Sequence, residues 1–94
     1  MTKVLFTPAA ERDVVDIWLN VALESPIAAD RLVDQIHDRA MQLIGFPELG
    51  PEHPEISNGM RFLTSGRYLI LYRIANAHME IVRVLHGARD LSLL

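Results

Sequence analysis

Residues 60–90, MRFLTSGRYLILYRIANAHMEIVRVLHGARD, decide the fold. In the run Arg67 to Ala75, Tyr68, Ile70, Tyr72 and Ile74 recur at period two, the pattern of a strand with one apolar face. Leu69 and Leu71 make the other face apolar as well, so this strand belongs in the middle of a sheet. Ser65-Gly66 before it and Asn76-Ala77 after it supply tight turns, which predicts two hairpins. Met60, Phe62 and Thr64 then alternate on the preceding strand, and Met79, Ile81, Val82, Val84 and Leu85 fill the following one. The run closes on a polar signature, His86-Gly87-Ala88-Arg89-Asp90.

Upstream, Lys3-Val4-Leu5-Phe6 reads as a short strand that adds at a sheet edge. Thr7-Pro8 ends it and starts a helix, because threonine accepts from a first-turn amide and proline needs no donor there. Val14, Ile17, Trp18, Val21 and Ala22 form that helix's apolar stripe. Ser25-Pro26 repeats the device almost at once. The second stripe is Ala29, Leu32, Val33, Ile36, Ala40, Leu43 and Ile44, with Gly45 placed to end the helix. Helices joined this tightly form an antiparallel hairpin. Each buried aliphatic side chain contributes about 1.5–3 kcal/mol, so the stripes must dock, and the sheet is the surface available. Residues 46–55, with three prolines and Gly50, cross as a loop. The expected architecture is α+β, in the order β-α-α-β-β-β, with a helical hairpin on a small antiparallel sheet.

Ninety-four residues suit one domain, expected to span 1–94. The start shows no signal-peptide core and no apolar run reaches the ~18–20 residues of a membrane span. Without cysteine there is no disulfide framework, which suits the cytoplasm. Residues 1–55 carry four basic and ten acidic side chains, a balance of −6, whereas residues 56–94 carry five arginines against two acids, a balance of +3. Such a split either reflects solvated acidic helices or prepares the second half for an acidic partner.

The element order, Thr7-Pro8, Pro47-Glu48-Leu49-Gly50, the run Tyr68-Leu69-Ile70-Leu71-Tyr72-Arg73 and the closing His86-Gly87-Ala88-Arg89-Asp90 together resemble the RelE/ParE superfamily of bacterial toxins. The resemblance covers nearly the whole chain, and its closing signature favours the ParE branch. It implies the toxin of a type II toxin–antitoxin pair that inhibits DNA gyrase and replication. It also implies neutralisation by a small cognate ParD-like antitoxin with an acidic tail. The RelE branch implies instead a ribosome-dependent mRNA endonuclease. Leu69 falls where such nucleases carry an arginine, and their C-terminal tyrosine would fall beyond Leu94, although Arg89 matches and Arg61 lies near a lysine position. An acidic chain with one lysine also suits neither ribosome binding nor sequence-specific DNA binding. A third reading is an inactive module that still binds antitoxin.

Individual residues divide accordingly. Arg61, Arg83, His86 and Arg89, with the tail after Asp90, are expected to meet the target. Trp18 and the patch Arg67, Leu69, Leu71 and Arg73 are expected to meet the antitoxin, Arg67 and Arg73 bracketing an apolar face. Tyr68 and Tyr72 are expected in the core. His37, His53 and His78 fall on separate elements, so no metal site is expected, and no catalytic constellation, phosphate loop or cofactor motif occurs.

Overall fold

Two proline-led helices lie across a four-stranded sheet in a computed structural model that describes residues 3–90. The order is β1 (Lys3–Phe6), α1 (Pro8–Ala22), α2 (Pro26–Met41), β2 (Arg61–Ser65), β3 (Tyr68–Ala75), β4 (His78–His86) and a helical turn, α3 (Gly87–Asp90). Both helix starts form as the sequence predicts. Thr7 Oγ1 accepts from Ala10 N–H at 3.1 Å and Ser25 Oγ from Ala28 N–H at 3.1 Å. The far end of α2 differs. It tightens into a 3-10 turn, Gln42–Ile44, and Gly45 sits at φ −84, so no left-handed glycine closes the helix.

Across the sheet the strands run β1-β4-β3-β2. The two hairpins are antiparallel, and β1 adds to β4 in parallel at the edge. The helix-covered face carries Leu63, Ile70, Tyr72, Met79, Ile81 and Val84, which meet Ala10, Val14 and Ile17 of α1 and Ile36 and Ala40 of α2. Met60, Leu71 and Leu85 form a second cluster with Phe62, Leu69 and Val82. β3 is apolar on both sides because it has a core on both. A bulge explains the spacing of β4. Leu71 pairs with Arg83 and Tyr72 with Ile81, leaving Val82 over, so Ile81 and Val84 reach one core despite an odd separation.

The first turn also lies one residue later than read. Gly66, at φ +57, and Arg67 make it, so Arg67 stands in the turn and not at the end of a strand face. The 46–55 loop is held from below by Tyr72, whose ring is fully buried. Its hydroxyl donates to Pro47 O at 2.8 Å and accepts from Gly50 N–H at 2.9 Å. Gly50 is obligatory there, since a Cβ would stand 2.1 Å from Phe62 O.

Candidate functional site

β1 pairs with β4 only through Ile81. Beyond that point no strand lies beside this edge of β4 among the described residues, and side chains close it. Thr7 N–H donates to Ile81 O at 3.0 Å and Thr7 Oγ1 to Val82 O at 2.9 Å. Asp13, from α1, takes Val84 N–H at 2.9 Å, and Asp90, from α3, takes His86 N–H at 2.8 Å. Unmatched strand amides invite another chain, and here carboxylates occupy them.

Asp13 does more than accept that amide. Arg83 wraps toward it in a two-point pair, Nε to Oδ2 at 2.7 Å and Nη2 to Oδ1 at 2.8 Å. Bidentate geometry of this kind is the strong form of a guanidinium–carboxylate contact. It holds the Arg83 guanidinium above its ordinary pKa, chiefly through the hydrogen bond to Asp13 and against the effect of burial.

The signature at the strand exit folds on itself. His86 Nδ1 accepts from Arg89 N–H at 3.3 Å while Asp90 reaches back to His86 N–H, a reciprocal cap on α3. His86 also meets the Tyr68 ring edge-on at 5.3 Å between centroids. Gly87 N–H donates to Arg67 O at 2.9 Å, tying this turn to the β2–β3 turn. Around these groups opens a polar cleft of about 240 Å³ lined by Asp13, Asp16, Asn20, Tyr68, His86 and Arg89. Arg83, His86 and Arg89 therefore come to one end of β4 and its exit.

Arg61 does not join them. It stands on β2, with β3 between it and β4. Its Nη1 donates to Gly50 O at 2.7 Å and its Nη2 lies 3.6 Å from Glu52, so it pins the 50–52 loop. The patch read as an antitoxin surface also changes character. Leu71 is 2% exposed beneath Met60 and Leu85 and offers nothing to a docking peptide. Arg73 lies 2.9 Å from Glu80 on the neighbouring strand. Arg67 is exposed, Leu69 half-buried. Trp18 is half-buried and donates through Nε1 to Asp30 at 2.8 Å, bridging the two helices. Residues 91–94, the expected tail contact, lie outside the described residues.

Sequence reasoning missed Asp13. Its partners are 70 and 71 residues away, which no local pattern reports. It also missed a cleft of about 820 Å³ between β1, the start of α1 and the end of α2. Val4, Phe6, Val14, Val15, His37 and Met41 line it, and the Phe6 and His37 rings meet edge-on at 5.1 Å. Among the described residues no cluster of ligating side chains fits a metal ion, and no helix is long and apolar enough to cross a membrane.

A family model described as the ParE toxin of the type II toxin–antitoxin system parDE matches residues 4–91. Among solved structures, a chain from a chromosomal ParDE toxin–antitoxin system of P. aeruginosa superposes with a TM-score of 0.79. The match covers 92% of this chain and 96% of that one, at 24% identity, a likeness of fold. No curated protein sequence matches the chain at a significant level.

Proposed function

The chain belongs to the ParE toxin family and is a type II toxin; from that premise we propose that it stops growth by inhibiting DNA gyrase without covalent chemistry of its own. The observation that carries the second half is how the strand exit uses its titratable groups. Asp13 and Asp90 accept β4 amides, and His86 accepts the Arg89 amide, so these side chains hold backbone in place. An acid–base pair for cleavage needs groups within hydrogen-bond reach of a substrate proton, and three of the nearest are already committed. On this reading Arg83, His86 and Arg89 present the surface that meets gyrase, residues 1–94 act as one toxin domain, and the work is done in the cytoplasm.

A small cognate antitoxin of the ParD type would hold the toxin inactive. Among the described residues β1 is the outermost strand of the sheet, with β4 on one side and an open edge on the other, and the cleft lies beside it. An extended segment fits the edge and a helix fits the cleft. Such a complex needs an affinity on the order of nanomolar, ~12 kcal/mol, to keep free toxin scarce.

One observation favours ribosome-dependent mRNA cleavage as a second reading. Tyr68 is set against His86 in the same cleft that Arg89 lines. Two parallel assays of the purified toxin decide between them, gyrase supercoiling with cleavage-complex detection and cleavage of ribosome-bound mRNA. Inhibited supercoiling with intact mRNA supports the first reading. Codon-dependent cuts with unaffected gyrase overturn it. If gyrase is inhibited, Arg89→Ala should weaken inhibition while antitoxin binding persists. Loss of both would mean that Arg89 serves the fold.

A further inference from the structure

The cleft between β1, α1 and α2 has apolar walls, and the surface beside it continues in that character. Val15 is 56% exposed, Leu19 53% and Leu5 43%, unusual values for aliphatic side chains grouped on one side of a small protein. Val15 and Leu19 stand four residues apart on α1, so they share a face. The walls are ready for an apolar partner face. Its flanking charges are set by what surrounds them.

Helices α1 and α2 carry six carboxylates and three arginines, a balance of −3. Glu11 lines the cleft itself. On α2, His37 and Met41 line it, and helical spacing sets Asp34 and Asp38 beside them on the solvent side. Asp34 and Asp38 are both exposed, and neither forms a salt bridge among the described residues. The arginines of the sheet behave oppositely. Arg61, Arg73 and Arg83 each have a carboxylate of this chain within 4 Å. The positive charge that the second half of the sequence advertises is largely matched within the fold. Glu11, Asp34 and Asp38, by contrast, leave negative charge at the border of an apolar cleft.

Resting on the antitoxin reading above, we propose that the segment of the antitoxin that enters this cleft is apolar with basic flanks, not acidic. Lysine or arginine beside its apolar anchors would meet Glu11, Asp34 and Asp38. Acidic residues there would face like charge, which repels wrong partners and slows encounter.

The test uses the full-length toxin and the antitoxin encoded in the adjoining reading frame. Affinity is measured by calorimetry at 50 and 300 mM salt for three proteins: the parent, Asp34→Lys combined with Asp38→Lys, and Arg67→Glu. All three changed positions are exposed, so folding should survive, and circular dichroism checks that it does. The double reversal is expected to weaken binding at least ~10-fold and to flatten the salt dependence, while Arg67→Glu stays within about twofold. Binding that tightens or does not change on the double reversal overturns the inference, as does a larger loss from Arg67→Glu. No binding even by the parent would remove the antitoxin reading itself. Tight binding without charge dependence removes this inference alone.

Discussion

Arg83 on β4 and Asp34 on α2 are both charged side chains of a small acidic protein, yet they live under different rules. Arg83 is locked to Asp13 by two hydrogen bonds, and that carboxylate also holds Val84 N–H. Asp34 forms no salt bridge among the described residues and faces water. Charge counted along a sequence therefore says little about charge presented to a partner. Arg61, Arg73 and Arg83 are structural first, whereas Asp34 and Asp38 on α2 are free to be recognised.

The contrast breaks hardest at Asp13. Replacing it with alanine strands Val84 N–H and Arg83 together, and the expected loss is about 2–3 kcal/mol. For a domain this small that lowers the thermal midpoint by roughly 10–20 °C in a melting curve. An unchanged midpoint would mean that water substitutes for the carboxylate. Arg61→Ala should cost less, about 1–2 kcal/mol, because it frees a loop that Tyr72 still holds. Faster proteolysis within residues 46–59 is the accompanying sign. Arg73→Ala tests the exposed pair with Glu80, and urea unfolding should move by no more than about 1 kcal/mol. At the other pole, Asp34→Asn with Asp38→Asn should leave stability within about 0.5 kcal/mol of the parent. A larger loss would show that the helical carboxylates also have structural work.

The smallest effect concerns pH. Glu55, fully exposed, is held below its ordinary value of 4.5 by a backbone hydrogen bond first and by His53 second. A depressed carboxyl favours the folded state above its ordinary pKa and loses that contribution as pH falls through the lowered value. Glu55→Gln should therefore narrow its difference from the parent in melting curves recorded from pH 6 down through the acid limb.

Much of this fold is written locally. Thr7-Pro8 and Ser25-Pro26 start helices wherever they stand, because the cap and the first turn lie within four residues. The alternation in Tyr68–Ala75 announces a central strand for the same reason. What the sequence hides is long-range. The surplus Val82 that lets Ile81 and Val84 share a core depends on the register with β3. The reassignment of Arg61 from target surface to loop anchor depends on Gly50, eleven residues away. Leu71 looked like half of an open patch because nothing in its own strand reveals that Met60 and Leu85 cover it. That Arg83, His86 and Arg89 lie together at the strand exit was legible from their spacing. Their carboxylate partners were not.

The closed edge of β4 has a consequence for stoichiometry. A sheet with two open borders can be extended from both sides, and repeated extension makes filaments. In this chain Asp13, Asp90 and Thr7 seal the free stretch of β4. The outer side of β2 is covered by the 51–53 segment, through Phe62 N–H to Pro51 O and His53 N–H to Met60 O, and by Arg39 donating to Thr64 O. Among the described residues the outer border of β1 is left, four residues long. One added strand ends the growth, whether it comes from an antitoxin or from a second copy. Among the described residues, four side chains and a loop close off polymerisation through the sheet.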